Sequence, residues 1–263
     1  MPIIYTKESL VQTLLEISQR GPISNLRHGN VGGIGNTLED LLGIEENNLP
    51  IPNAGEWELK TQRLESNALT TLFHMEPSPR AIGFVPKILL PKYGWTHQDA
   101  GGRHPASEMS FRQTLHGKTR SDRGFKIQID RDARKVLVSF ASDAVAGRHA
   151  AWLNGVRNAI GLGELDPQPY WGFDDLAAKA RTKLLNAFYV QAKVTKRSGA
   201  EFYEYKKVMM LRSFSFDKFL TALDEGNVLV DFDARSGHNH GTKFRLRQKC
   251  LPDLYSEAPT IIA

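Results

Sequence analysis

The chain has 263 residues, 41% of them hydrophobic and 24% charged, a balance that excludes wholesale disorder and suits one large domain or two lobes. No apolar run approaches the roughly 18 residues needed to cross a bilayer, and Met1 to Glu8 lacks the basic-then-apolar order of a secretion signal, so a cytoplasmic location is expected. A single cysteine, Cys250, excludes an internal disulfide and a multi-cysteine zinc site, and the net charge of +5 favours an anionic partner.

Along the chain, Leu10, Val11, Leu14, Leu15 and Ile17 fall at helical spacing, and Gly21-Pro22 stops that helix. A second helix is predicted over Asn36 to Leu42, capped by Asn36 or Thr37 and followed by Gly43. Trp57 to Gln62 reads as the first core strand, and Leu69 to Phe73 as a second that could pair with it. Residues 74–124, rich in Pro, Gly, His and Arg, read as long loops with short elements. Alternation in Phe125, Ile127 and Ile129 and again in Val136, Val138 and Phe140 predicts a hairpin turning at Asp130 to Arg134. A helix over Asp174 to Leu185 precedes strands at Ala187 to Lys193 and Phe202 to Leu211, joined by the polar turn Lys196-Arg197-Ser198-Gly199. A helix opening at Ser215 or Asp217 runs through Leu223 to Gly226-Asn227. Strands Val228 to Phe232 and Thr242 to Arg247 then flank a loop at Arg235 to Gly241. Cys250 reads as an inert residue in a strand. The fold class is therefore α/β, with a mixed central sheet flanked by helices.

Charge is unevenly placed. Residues 1–60 hold eight acids against four Lys and Arg, whereas residues 235–249 hold Arg235, Lys243, Arg245, Arg247 and Lys249 with no acid. An acidic segment that collects cations and a basic one suit an enzyme acting on a polyanion.

The chemistry concentrates between residues 32 and 60. A Gly-rich stretch, Gly32-Gly33-Ile34-Gly35, runs into Glu39, and Pro52-Asn53 precedes Glu58-Leu59-Lys60. Two residues apart on a strand, Glu58 and Lys60 leave the same face. A carboxylate there can hold Mg²⁺, with the Leu59 carbonyl as a further ligand, while the ammonium polarises an attacking water and stabilises phosphate charge. A Glu-X-Lys triplet alone is commonly just a solvated strand face; Pro-Asn, Glu39 and the glycines add weight to the functional reading.

Taken together, Gly35-X-Thr37-Leu38-Glu39-Asp40-Leu41-Leu42, Glu46-Asn47-Asn48-Leu49, Pro52 and Glu58-Leu59-Lys60-Thr61 resemble the MvaI and BcnI type II restriction endonucleases, relatives of the nickase MutH. Leu69-Thr70-Thr71-Leu72-Phe73, Tyr93-Gly94 and His238-Asn239-His240-Gly241-Thr242-Lys243-Phe244-Arg245 extend the likeness in the same order over most of the chain. The resemblance implies a PD-(D/E)XK nuclease core, mainly within residues 1–195 with a loop-rich insertion at about 74–124. A DNA-recognition lobe would lie mainly within 196–263, with duplex DNA in the cleft between the lobes. It further implies Mg²⁺-dependent cleavage at a CC, one central base, GG-like site by a monomer, with a cognate methyltransferase in the same restriction-modification system and not in direct contact.

The family's acidic positions carry over to Glu39, Asn53 and Glu58, and its lysine to Lys60; Asn53, Glu58 and Leu59 would be the metal ligands. Base reading would fall to Arg245 and Arg235, with His238, His240, Lys243 and His74 nearby. Lys118 and Arg120, with Arg123 and Lys126, would hold the DNA backbone, and a solvated surface strip is the competing reading. Asn53 departs from the pattern, which has Asp. Either the site is an inactivated variant or another acid, Glu56, substitutes. The rival functions are a MutH-like strand-nicking repair endonuclease and a DNA-binding protein that keeps the fold without the chemistry.

Overall fold

A computed structural model describes residues 5–25, 33–44, 57–64, 66 and 68–263. In chain order the elements are α1 (Lys7–Gln19), β1 (Ile23–Ser24), α2 (Gly33–Leu41), β2 (Glu58–Arg63), β3 (Leu69–His74), α3 (Leu90–Tyr93), β4 (Trp95–Thr96), β5 (Met109–Leu115), β6 (Arg123–Asp130), β7 (Lys135–Val145) and α4 (Ala150–Ile160). There follow β8 (Tyr170–Gly172), α5 (Phe173–Lys183), β9 (Ala187–Arg197), β10 (Ala200–Phe214), α6 (Phe216–Asp224), β11 (Val228–Arg235), β12 (His238–Asn239), β13 (Lys243–Arg247), β14 (Tyr255–Glu257) and β15 (Thr260–Ile262). No helix among the described residues is long and apolar enough to cross a membrane.

The chain folds as two compact units, one of Met1–Ala68, Arg181–Ser215 and Gln248–Ala263, the other of Leu69–Ala180 and Phe216–Arg247. A division at 195/196 is therefore not what forms. That cut would pass through the β9–β10 hairpin, where Thr195 pairs with Phe202 and Lys196 with Glu201 around the Ser198-Gly199 turn.

In the first unit the strands run β1-β10-β9-β2, with β14 and β15 also on β10. β2 is parallel to β9, placing Glu58 opposite Ala187 and Lys60 opposite Tyr189. Leu59 points to the other face, where Trp57, Leu59, Phe188 and Val190 bury against Leu10, Leu14 and Ile17 of α1 and Ile34 and Leu38 of α2. α1 forms where predicted because Thr6 caps it, its hydroxyl accepting from the Ser9 N–H at 3.2 Å. The glycine that opens α2 has a steric reason: a Cβ on Gly33 would lie 2.3 Å from the Tyr203 hydroxyl oxygen. Tyr205 clamps the same turn, its hydroxyl donating to the Ile34 carbonyl at 2.8 Å.

In the second unit one sheet runs β3-β13-β11-β5-β4, with β12 on β11, and a second runs β6-β7-β8. An aromatic core joins them: Phe111 lies 5.6 Å from Phe125 and from Phe232, and Phe73 lies 4.9 Å from Phe244. Those contacts explain why β3 pairs with β13 and not with β2: Phe73 sits opposite Phe244, and both rings are buried. Residues 74–124 are more ordered than a loop-rich reading allows. They contain a π-helical stretch, Val85–Leu89, leading into α3, and also β4 and β5, the latter pairing with β11 over six residues from Ser110 to Leu115. Cys250 is buried in a 3₁₀ turn, Gln248–Cys250, and not in a strand.

Candidate active site

On β2, Lys60 Nζ donates to Glu58 Oε1 at 2.7 Å. The pair is partly open to solvent, with 28% of the lysine and 22% of the glutamate side chain accessible. Strand period puts them on one face, as the sequence implied, and that face is opposite to the one covered by α2, where Thr61 lies beneath Gly35.

Backbone direction identifies a further oxygen. The N–H groups of Glu58 and Leu64 donate to Asn186 and Ala192 on the β9 side, each at 2.9 Å. With a two-residue alternation, the N–H and C=O of Leu59 turn to the other edge of β2, and β9 is the one strand that pairs with β2 among those described. A carboxylate and an outward carbonyl are hard oxygen donors, the class that suits Mg²⁺. The field of Glu58 reaches Tyr255: burial raises that phenol well above its ordinary range, and the Glu58 charge raises it further.

Glu39 is half-buried on α2, beside the fully buried Thr37 and Leu38, and its carbonyl accepts from the Ile44 N–H at 2.9 Å. Asn53 and Glu56 lie outside the described residues.

The residues proposed to meet DNA gather on a polar face of the second unit. Asp231, Asp233 and Arg235 alternate with the buried Val230, Phe232 and Ala234 on β11. Each cation beside them has an acid: Lys243 Nζ to Asp233 at 3.4 Å, Arg245 to Asp231 at 3.4 Å, and Arg235 to the buried Glu108 at 3.0 Å. Arg245 also donates to the Leu69 carbonyl at 3.3 Å, and its Nε has no partner. His238 and His240 are exposed, with ring nitrogens 3.3 Å apart. His74 is exposed opposite Lys243, its ring close to Gly241. Ion pairs of this kind hold the guanidinium and ammonium groups in fixed positions on that face. Arg112, which pairs with Asp233 at 3.2 Å, belongs to the same face and was not singled out from the sequence.

Lys118 is exposed, but Arg120 is committed inside the unit. Its guanidinium donates to the carbonyls of Gly124 at 2.8 Å and Ser139 at 3.3 Å and to the Ser139 hydroxyl at 3.1 Å. Another group missed from the sequence is His97, Asp99 and His104, whose ligand atoms lie within 4.8 Å of one another. Its turn satisfies much of its own polarity: His97 Nδ1 accepts from the Asp99 N–H at 3.0 Å, and Asp99 takes Arg103 at 2.8 Å. The signal was the His-X-Asp-X4-His spacing, inside a stretch read as loop.

Residues 11–255 match the model of the MvaI/BcnI restriction endonuclease family. The solved structure of restriction endonuclease MvaI with its cognate DNA substrate superposes with a TM-score of 0.71 at 24% identity, over 98% of this chain and 100% of that one. MvaI in the absence of DNA gives 0.59 at 23% identity, over 99% and 100%. At that identity the likeness concerns the fold, which bears out the mixed α/β expectation. No curated protein matches the sequence.

Proposed function

Since the chain belongs to the MvaI/BcnI restriction endonuclease family, which implies DNA cleavage, we propose that it cuts both strands of duplex DNA at a short CC-N-GG-like site with Mg²⁺. The observation that carries this reading is the Glu58–Lys60 pair, 2.7 Å apart beside an outward-turned Leu59 carbonyl. Glu58 and the Leu59 carbonyl would hold the ion, with residue 53 as a further ligand. When bound, Mg²⁺ supplies charge to neutralise the phosphate. Lys60 orients the attacking water and faces the charge that builds on the scissile phosphate. Glu39 is the further acidic position of the family pattern; because α2 covers the opposite face of β2, its carboxylate would reach the ion past the strand edge that carries the Leu59 carbonyl. On the second unit, Arg245 and Arg235 read guanine edges, assisted by His238, His240, Lys243 and His74, and Lys118 contacts the backbone. A DNA complex of MvaI, the relative of matching fold, supports a duplex partner. The protein acts as a monomer in a system whose methyltransferase protects the same site.

Asn53 stands where the family pattern has Asp, and an amide oxygen lacks the formal charge that draws the cation in. We infer that this chain is an inactivated variant: cleavage is weak, while DNA binding persists because one repulsive charge near phosphate is gone. The test compares this chain with Asn53→Asp on supercoiled plasmid carrying the site, with Mg²⁺ and with chelator. Linear product that appears on restoring the acid and vanishes with chelator is the expected result. Equal cleavage by both proteins would remove the inactivation reading, product that stops at nicked circles would favour a strand-nicking enzyme, and retardation of DNA with no cleavage would favour a binding protein.

A further inference from the structure

The second unit contains a cavity of about 540 Å³ lined by Lys92, Trp95, Arg123, Trp152, Gly155 and Val156, among others, none of them acidic. Arg123, the first residue of β6, lies over Trp95 with its guanidinium carbon 3.9 Å from the ring centroid, and 5.5 Å from that of Trp152. Its Nε is buried without a hydrogen-bond partner. Nearby arginines differ: Arg148 pairs with Asp122, Arg112 with Asp233 and Arg235 with Glu108. No such acid pairs with Arg123 among the described residues. Trp152 offers the cavity no donor, because its Nε1 already donates to the carbonyls of Tyr93 and Gly94 at 3.2 and 3.1 Å.

A half-buried cation without a counter-charge is costly, and the indole faces offset part of that cost. Burial pushes the Arg123 guanidinium down from its ordinary value, and its charge reaches His149, which burial and then Arg123 hold below the usual histidine range. An anion would complete the balance. Apart from Thr96 the remaining side chains of the lining, among them Trp95, Met109, Val156 and Ala159, are apolar and can accept a flat ring. The volume lies within the range of small-molecule sites.

We propose that this cavity binds an unpaired nucleotide, its phosphate on Arg123 and Lys92 and its base against the indole and aliphatic walls. Stacking on guanidinium and aromatic faces tolerates any base, so the site discriminates the nucleotide by its phosphate and its unpaired ring, not by sequence. The inference requires none of the cleavage chemistry assigned to Glu58 and Lys60. Two sources present this chemistry: a free nucleotide, and a nucleotide swung out of a duplex.

Isothermal titration in metal-free buffer with thymidine 5′-monophosphate, thymidine and inorganic phosphate tests it. The monophosphate is expected to bind more tightly than either fragment, and Arg123→Gln to weaken it by on the order of tenfold or more. A second variant guards against misfolding. A Cβ on Gly155 meets nothing within 4 Å, and leucine favours a helix more than glycine, so Gly155→Leu is expected to close the cavity and abolish binding without lowering Tm. Three titration results would overturn the proposal: no binding, phosphate or thymidine binding as well as the monophosphate, or Gly155→Leu binding like the parent. Competition by a duplex with one unpaired thymidine but not by the fully paired duplex assigns the site to extruded DNA, and competition by neither assigns it to the free nucleotide. Equal competition by both duplexes would also overturn it.

Discussion

Glu58 and Lys60 touch through a 2.7 Å hydrogen bond on the strand face turned away from α1 and α2, so neither side chain supports the core beneath Leu59. A partly solvated pair of this kind contributes about 0–1 kcal/mol to stability. Glu58→Gln and Lys60→Met are therefore expected to leave Tm nearly unchanged. Combined with Asn53→Asp, each is expected to lower the Mg²⁺-dependent cleavage rate by on the order of 10²–10³-fold, the loss typical when a preorganised charge at a reacting centre is removed. Single-turnover cleavage together with a thermal melt checks both halves. Full cleavage by either variant would remove the pair from the reaction.

Lys118 and Arg120 were expected to act alike on the DNA backbone, and their surroundings separate them. Arg120 makes three hydrogen bonds to Gly124 and Ser139, tying the start of β6 to β7. Hydrogen bonds to a charged group contribute about 1.5–3 kcal/mol each, so Arg120→Ala is expected to lower the urea midpoint clearly. Lys118→Ala is expected to leave that midpoint alone and to reduce the slope of log K against log salt by about one for DNA binding. Stability unchanged in Arg120→Ala would return it to the surface strip.

What the sequence made legible was set by local period. The hairpin register, Phe125 opposite Phe140, Ile127 opposite Val138 and Ile129 opposite Val136, follows from two-residue alternation about a short turn. The same alternation placed Glu58 beside Lys60. What depended on distant pairing was not legible: β2 finds its parallel partner at Ala187, far along the chain, and nothing near Leu69 says that β3 belongs with β13. α4 was missed because Val156 is its one buried residue, too little for an apolar stripe. Arg120 and Arg123 look equivalent in sequence; one meets carbonyl oxygens and the other meets Trp95.

Gly124 interrupts β6 at a register shift between Arg123 and Phe125, with φ at +79°. A Cβ there would lie 2.2 Å from the Ala141 carbonyl oxygen, a backbone atom that cannot swing aside. Gly124→Ala is thus expected to destabilise by about 2 kcal/mol or more, combining left-handed strain with a backbone clash. Chemical denaturation measures it. A variant as stable as the parent would mean that this bulge can shift its register freely.

His116 gives the stability a pH dependence of known sign. Its Nδ1 accepts from the backbone N–H groups of Lys118 at 3.2 Å and Thr119 at 3.4 Å, so a proton on Nδ1 would face two donors. Burial first, then the charges of Arg247 and Lys118, hold its pKa below the ordinary 6.5. With the folded value lowered, the unfolded chain takes up the proton first as pH falls. The contribution of neutral His116 is fully present above about pH 6.5 and is lost as pH drops below it toward the folded value. The chain has eight histidines, so the measurement is a difference between the parent and His116→Asn, whose amide oxygen can still accept from the turn without titrating. Between about pH 7.5 and 5.5 the parent is expected to lose more Tm than the variant. Parallel Tm curves through that window would show that this imidazole is protonated as readily folded as unfolded.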